Sequence, residues 1–451
     1  MTLRFGTDGV RGVAGLELSP EYALALGRAA ARVLGARRFV VGRDTRLSGP
    51  MLEAALCAGL AAEGVEAVRL GVCPTPTVAW AAAAEPGVAG AVISASHNPF
   101  SDNGIKLFAL GGLKLGDAGQ HAIEAVLAEP ALGSAAAPGN GEAVVGRIVE
   151  DRTALAGYGA ALIASLEGRR LDGVRAVIDC ANGAAFELAP RLLAELGVEL
   201  QVIADRPDGR NINDGCGSTA LGGLAEAVRS SGAALGLAFD GDADRVLAVD
   251  AAGELIDGDQ LIGMCALDRR RRGALPDATV VVTVMANLGF RLGMERHCIT
   301  VRETAVGDRY VLEELERGGW ALGGEQSGHV IFRDLATTGD GLLTAVQVLD
   351  LVHRRGATIR ELADEAMTRL PQVLRNVRVE RADPAALEAV AAQVSVVEAR
   401  LGGQGRVLIR PSGTEPLVRV MVEAADAADA EAAAEELAAA LERRLRVSQG
   451  R

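Results

Sequence analysis

Three aspartates, Asp240, Asp242 and Asp244, alternate with small residues in LGLAFDGDADRVLAVD (235–250), between two apolar runs that read as strands. Carboxylates spaced this closely repel one another. A hard divalent cation that takes oxygen ligands resolves the conflict, and Mg²⁺ is the fitting ion where a phosphate supplies a further oxygen. A calcium loop of the EF-hand type needs glycine at its sixth place and glutamate at its twelfth, and those places hold Arg245 and Ala251. The pattern points to a small metal centre on a turn.

Three further loops carry polar chemistry. In AVISASHNPFSDNGIKLF (91–108) an apolar run stops at Ser94, and Ser96, His97 and then Lys106 follow. Ser96 lacks the marks of a triad nucleophile, because its histidine is the next residue and in an extended turn would point elsewhere. Neither lysine sits in a Gly-Lys-Ser/Thr setting, so no P-loop is present. A serine that accompanies a metal site and a phosphate cradle fits better as a residue that carries a phosphoryl group and hands it on. GGEQSGHVIF (323–332) offers an acceptor, a hydroxyl and a titratable ring in Glu325, Ser327 and His329, a set suited to a sugar. VLIRPSGTEPLVRVMVE (407–423) surrounds a Pro-Ser-Gly-Thr turn with Arg410, Ser412, Thr414 and Arg419, a cradle for a phosphate dianion. Of 46 basic residues only Lys106 and Lys114 are lysine. Where arginine is so strongly preferred, a retained lysine suggests work for a compact ammonium that can give up its proton. Lys106, beside the polar turn, is assigned that work, and Lys114 reads as a chance survivor on the surface.

A scaffold must hold these loops, and the chain repeats one. RFVVGRDTRLSG (38–49), GVRAVIDCANGAA (173–185) and ATVVVTVMANLG (278–289) each read as strand, polar turn, helix, and short Val/Ile/Leu runs alternate with alanine-rich helical stretches. Ser19 with Pro20, and then Ser48, are placed as helix N-caps. A chain of 451 residues is too long for one core, which stops growing near roughly 250–300 residues. Breaks in the Pro/Gly/Ala stretch 128–145, just past Asp250 and near RLPQVLRNVRV (369–379) give four domains. Three are similar α/β units with a mixed sheet between helices: 1–150 with the serine loop, 151–252 with the metal loop and 253–368 with the sugar loop. The fourth, 369–451, is a smaller C-terminal α+β domain with the phosphate loop. A net charge of −13 and only 3% aromatic residues argue against nucleic-acid and membrane partners. The basic run 269–272 reads as decoration at a helix end. Six scattered cysteines with no Cys-x-x-Cys pair argue against a zinc or disulfide framework. No secretory leader or long apolar span is seen, so a cytoplasmic location is expected.

SASHNP (94–99), DGDADR (240–245), GEQSGH (324–329) and RPSGTEP (410–416), in that order, resemble the α-D-phosphohexomutases, and the likeness runs from FGTDGVRG (5–12) to the C-terminal strands. With NINDGCGST (211–219) and VGDRYV (306–311), the motifs are most similar to the branch of that family acting on an amino sugar. The resemblance implies four domains around a central cleft and a resting phosphoserine at Ser96. It implies one Mg²⁺ per chain, held by the serine's phosphate with Asp240, Asp242 and Asp244. Glu325 and Ser327 would hold sugar hydroxyls, and Arg410, Ser412, Gly413, Thr414 and Arg419 the distal phosphate. Arg11, His97, Lys106 and Arg245 would line the reacting centre, with Lys106 and His329 as proton carriers. The expected reaction interconverts glucosamine 6-phosphate and glucosamine 1-phosphate. A glucosamine or glucose 1,6-bisphosphate is the expected activator, and a homodimer one expected assembly. A glucose- or mannose-phosphate mutase of the same family, a Mg²⁺-dependent sugar phosphatase and a silent sugar-phosphate sensor are the competing readings. Two positions depart from the family pattern. Ala243 stands where glycine is also common, a harmless change if φ there is negative, and Ala305 replaces a lysine of the wider family.

Overall fold

The computed structural model describes residues 3–6, 8–129, 145–378, 384–411 and 417–448. The chain opens with β1 (Val10–Val13), α1 (Pro20–Leu34), β2 (Arg38–Arg43), α2 (Gly49–Ala62), β3 (Glu66–Val72), α3 (Thr75–Ala83), β4 (Val88–Ile93), β5 (Asp102–Phe108), α4 (Asp117–Leu127) and β6 (Ile148–Glu150). Its six strands form one sheet in the order β1-β5-β4-β2-β3-β6, parallel from β4 to β6, with β5 and then β1 added antiparallel. Every residue of β4 is buried, as a strand covered by helices on both faces requires. Phe39 and Val41 of β2 pack with α1 and α2, while Val40 joins Val78 and Ala82 of α3 on the opposite face. Ser19 caps α1, accepting from Tyr22 N at 3.2 Å, with Pro20 as the first helical residue. Ser48 precedes α2 without capping it; its hydroxyl accepts from Asn103 Nδ2 at 2.9 Å, so it ties the helix start to β5 instead.

The next segment runs α5 (Ala154–Ala164), β7 (Arg175–Asp179), α6 (Leu188–Glu195), β8 (Glu199–Ile203), α7 (Gly222–Ser231), β9 (Leu235–Phe239), β10 (Val246–Asp250) and β11 (Leu255–Ile256), and its sheet order is β11-β10-β9-β7-β8. A third segment runs α8 (Gly258–Arg271), β12 (Thr279–Thr283), α9 (Leu288–Arg296), β13 (Thr300–Thr304), α10 (Asp308–Gly318), β14 (Leu322–Gly324), β15 (Val330–Phe332), α11 (Gly341–Arg355) and α12 (Ile359–Ala366), with sheet order β13-β12-β14-β15. The three sheets share one device. In each, a parallel strand turns back on itself into an antiparallel neighbour: β4 into β5, β9 into β10 and β14 into β15. Those turns are the serine, metal and sugar loops, so all three leave the carboxyl end of a parallel strand, where α/β sheets place their ligands.

The last segment, β16 (Gln372–Arg378), α13 (Pro384–Leu401), β17 (Arg406–Pro411), β18 (Leu417–Glu423) and α14 (Ala427–Ser448), makes an antiparallel sheet in the order β16-β18-β17 covered by two helices. Three α/β sheets and a smaller α+β part therefore agree with the class read from the sequence. The chain groups into two compact units, Met1–Met285 with Ile299–Ala363, and Ala286–Cys298 with Asp364–Arg451. All three α/β sheets lie in the first. In the second, Glu423 at the end of β18 is fully buried and accepts from Leu288 N (3.0 Å), Arg406 Nε (3.0 Å) and Asn287 Nδ2 (3.3 Å). The carboxylate thus binds the start of α9 to the C-terminal sheet. No helix among the described residues is long and apolar enough to cross a membrane.

Replacing Glu423 by Ala removes the carboxylate shared by a buried guanidinium and a helix N-terminus, and is expected to lower stability by roughly 3 kcal/mol. Urea unfolding followed by circular dichroism measures this, and a loss well under 1 kcal/mol would contradict the assigned role.

Candidate active site

Ser96 sits at the tip of the β4–β5 turn with φ +53°, a left-handed conformation that costs a non-glycine residue about 1 kcal/mol or more. A buried clamp holds it there. Arg46, with no exposed surface, donates to the carbonyls of Ser96 (2.9 Å), Asn98 (2.8 Å) and Pro99, while Asp44 fixes the guanidinium at Nε (2.8 Å). Asp44 also accepts from Ser94 Oγ (2.6 Å), which in turn receives Ser96 N (2.9 Å). Asn213 donates to the carbonyls of Ser96 (2.9 Å) and Asn98 (3.1 Å) from the second α/β segment. The turn is not extended, and this corrects the reading of His97: its Nδ1 lies 3.4 Å from Ser96 Oγ and 3.5 Å from Arg245 Nη1.

The metal loop meets this turn directly. Ser96 Oγ donates to Asp240 Oδ2 at 2.6 Å. Gly241 makes the approach possible, since a Cβ there would fall 2.4 Å from the Ser96 carbonyl oxygen. Asp240, Asp242 and Asp244 are buried, and one oxygen from each lies within 4.8 Å of the others. Thr75, the first residue of α3, donates its N–H to Asp242 O (2.8 Å) and its hydroxyl to Asp242 Oδ2 (2.6 Å). Lys106 Nζ reaches Asp242 Oδ2 (2.8 Å), Asp244 Oδ2 (3.0 Å) and Asp8 Oδ2 (3.0 Å). Asp242 Oδ1 and Asp244 Oδ1 stay buried and accept no hydrogen bond among the described residues. Asp244 Oδ1 faces His329 Nδ1 (3.7 Å) and Arg245 Nε (3.8 Å) beyond hydrogen-bond reach, and an all-oxygen trio with two oxygens free of hydrogen bonds fits a hard divalent cation.

Electrostatics follow from the same geometry. Burial, then the charges of Asp244 and Asp242, push Asp240 well above the usual carboxylate range. Burial acts the same way on Asp244, but Lys106, His329 and Arg245 outweigh it and hold that group well below. Burial opposes the Lys106 ammonium, yet Asp242, Asp244 and Asp8 keep it well above the ordinary lysine value. His329, fully enclosed, would lose its proton to burial alone; Asp308 (3.0 Å) and Asp244 (3.7 Å) raise it to about 10. His97 is lowered by burial and by Arg245 and Arg11, so cations dominate its side of the site.

Lys114 is not a surface survivor. Its side chain is 8% exposed and pairs with Asp8 Oδ1 (3.0 Å) and with Asp308. Both lysines of the chain therefore bracket one carboxylate, Asp8, which also pairs with Arg11. Asp8, Asp44, Arg46, Thr75, Asn213 and Asp308 were not singled out from the sequence, although Asp8, Asp308 and Asn213 stand inside motifs that were, and Asp44 and Arg46 inside the strand–turn–helix segment 38–49. Ala243 has φ +57°, so the condition for a harmless replacement fails and the loop carries strain at that residue. Ala305 is exposed and brings no charge.

Of the sugar loop, Glu325 Oε1 accepts Gly307 N at 3.2 Å, and Ser327 Oγ is buried with no hydrogen-bond partner among the described residues. In the second unit Arg410 and Arg419 face each other across the β17–β18 pair. Burial and then Arg419 lower Arg410. Like charges directly opposite are unfavourable in a sheet, and an anion relieves them. Ser412, Gly413 and Thr414 lie outside the described residues.

Sequence models of one family match the chain in order: phosphoglucomutase/phosphomannomutase α/β/α domain I over 2–132, domain II over 156–253, domain III over 257–370 and the C-terminal domain over 374–440. The chain belongs to the phosphoglucomutase/phosphomannomutase family. It is 53% identical to the phosphoglucosamine mutase of Frankia casuarinae, covering 97% of this chain and 98% of that one. It is 52% identical to the phosphoglucosamine mutase of Thermobifida fusca, with the same coverage. Among solved structures, a phosphoglucomutase/phosphomannomutase family protein of Burkholderia thailandensis superimposes with TM-score 0.81 at 27% identity, over 97% of each chain. At 20% identity the N-acetylphosphoglucosamine mutase of Aspergillus fumigatus shares the fold, with TM-score 0.70 over 99% of this chain and 96% of that one.

Ala243→Gly removes the left-handed strain at the metal loop and is expected to raise stability by about 1 kcal/mol. Thermal unfolding in the presence of chelator checks it, and an unchanged or lower midpoint would show the strain to be absent.

Proposed function

We infer that the protein is an isomerase that interconverts glucosamine 6-phosphate and glucosamine 1-phosphate through a phosphorylated Ser96 and a 1,6-bisphosphate. The observation that carries this is the 2.6 Å contact between Ser96 Oγ and the buried aspartate trio. A phosphoryl group on that oxygen would enter the same ring of carboxylates, adding oxygen ligands where two carboxylate oxygens accept no hydrogen bond among the described residues. Asp240, Asp242, Asp244 and that phosphate would hold Mg²⁺, which when bound supplies positive charge to the transferring group.

In the forward direction the Ser96 Oγ–P bond breaks and a bond forms from phosphorus to O1 of the sugar, while the proton of the 1-hydroxyl ends on Ser96 Oγ. The 1,6-bisphosphate reverses its orientation. Ser96 then takes the 6-phosphoryl group, its proton passes to O6, and glucosamine 1-phosphate leaves. Atoms and charge balance over the two steps, and a free 1,6-bisphosphate can reload the serine. Lys106 and His329 are the proposed proton carriers, each starting in the protonated form that its carboxylate neighbours favour and therefore placed to give a proton to a leaving oxygen before taking one back, while Arg11, His97 and Arg245 face the reacting phosphoryl group. Glu325 and Ser327 would hold sugar hydroxyls, the unpaired Ser327 hydroxyl being well suited to it. Arg410, Ser412, Gly413, Thr414 and Arg419 would take the phosphate not in transfer. The preference for the amino sugar rests on the relatives. The reading implies a cytoplasmic step that feeds UDP-N-acetylglucosamine and cell-wall precursor synthesis.

Intact mass should show a fraction of chains about 80 Da heavy, absent in Ser96→Ala. That variant should also lose isomerisation; release of free phosphate from glucosamine 6-phosphate without isomerisation would instead indicate a phosphatase. Removing Mg²⁺ with EDTA should lower the isomerisation rate by at least about 100-fold, with recovery on adding Mg²⁺. A rate indifferent to the chelator would end the metal assignment.

A further inference from the structure

Behind the metal loop, in the first unit, lies a cavity of ≈ 360 Å³ that the proposed reaction does not use. Two helix faces wall it. Pro76, Ala79, Trp80 and Ala83 recur at helical spacing along α3, and Tyr158, Ala161, Leu162 and Ser165 do the same along or just past α5. Trp80 and Tyr158 stand with ring centroids 6.3 Å apart. The gap exists because alanines occupy the places where larger side chains would interdigitate.

Several polar groups of the wall are already paired among the described residues. Tyr158 OH donates to Asp340 Oδ2 (2.6 Å), Leu343 N to Asp340 Oδ1 (2.9 Å), Thr337 Oγ1 to Gly112 O (2.8 Å) and Ser165 Oγ to Leu162 O (2.6 Å). Thr338 is 1% exposed, lines the cavity, and its buried Oγ1 has no hydrogen-bond partner among the described residues. A buried hydroxyl left unpaired costs on the order of 1–3 kcal/mol; Oγ1 does not itself open onto the cavity, and rotation about χ1 would bring it to an occupant that can satisfy it. No lysine or arginine lines the cavity and the Asp340 carboxyl does, which disfavours sugar phosphates and other anions.

We propose that this cavity is a second ligand site, which takes a neutral aromatic small molecule bearing one hydrogen-bonding group. The aromatic wall supplies stacking and edge contacts, and Thr338 fixes orientation. Occupancy reaches the metal loop by two short routes. The same face of α3 leads to Thr75, which holds Asp242 through its N–H and hydroxyl. Asp340 is followed by Gly341, whose N–H donates to Ala243 O at 3.1 Å. The site therefore couples to Mg²⁺ binding, and by linkage Mg²⁺ changes the affinity of the ligand equally.

Indole, a bicyclic aromatic with one N–H, is the probe. Titrated into the full-length protein it should raise the unfolding temperature saturably. Ala161→Leu fills the cavity and should abolish that rise while unfolding no lower than the wild type, which shows it folded. Thr338→Val keeps the shape without the hydroxyl and should weaken indole about tenfold, with Thr338→Ser restoring it. The stabilisation by Mg²⁺ should differ between indole-free and indole-saturated protein. Absence of a saturable rise, or an equal rise in Ala161→Leu, overturns the site; an unchanged response to Mg²⁺ overturns the coupling.

Discussion

Three carboxylates buried within 4.8 Å of one another are the constraint around which the rest of the molecule is arranged. Taking even one ionised carboxylate out of water is expensive, and each neighbour adds repulsion. The protein meets part of the demand with Lys106, the Thr75 hydroxyl and the Ser96 hydroxyl, and leaves two oxygens with no hydrogen bond among the described residues, of which Asp244 Oδ1 faces only the more distant His329 and Arg245. A divalent cation held by this trio would need further oxygen ligands, because three carboxylates alone leave its shell short. A phosphoryl group on Ser96, as proposed, would supply them, since Ser96 Oγ already touches Asp240 of the trio.

Holding the trio against the serine costs backbone strain. Ser96 and Ala243 both adopt left-handed φ, and Ala181, Asn182 and Asn213 do so in the loops packed beside them. Such conformations persist only where the surroundings over-determine them. Here that is done by the Arg46–Asp44 clamp, by Thr45 Oγ1 donating to Asn182 O (2.6 Å), and by Ala184 N donating to Gly241 O (2.8 Å). The topology helps. A turn that closes a parallel strand against an antiparallel one is anchored by ladder hydrogen bonds on both sides, so the serine, metal and sugar loops are the tips of hairpins and not free connections.

Charge is handled in layers behind the trio. Lys106 and Lys114 share Asp8, Lys114 passes charge balance on to Asp308, and Asp308 holds the His329 ring. A Cβ at position 339 would lie 2.1 Å from His329 Nε2, so the ring is also packed tightly against backbone. The ladder ties the first and third α/β segments to the metal loop of the second. Burial makes each link costly to break, because an ammonium or carboxylate would be left unpaired. An ammonium that serves two or three carboxylates at once is a task for lysine's three freely rotating donors more than for arginine's flat fork, which accounts for the only two lysines in an arginine-rich chain standing here.

The aspartate trio, the serine turn and the paired arginines were legible in the sequence because each is local: a few residues in one turn, flanked by apolar strands whose alternation and length need no partner to be recognised. The fold class was legible for the same reason. Glu423 binding α9 to the C-terminal sheet, the Arg46 clamp, the burial of Lys114 and the sign of φ at Ala243 were not. Each depends on which atoms approach from segments tens to hundreds of residues away. Asp8 and Lys114 are 106 positions apart, and Lys114 and Asp308 are 194 apart. Composition and spacing report what a residue can do; desolvation, charge pairing and close backbone approach are properties of neighbours, and only tertiary packing decides who those neighbours are.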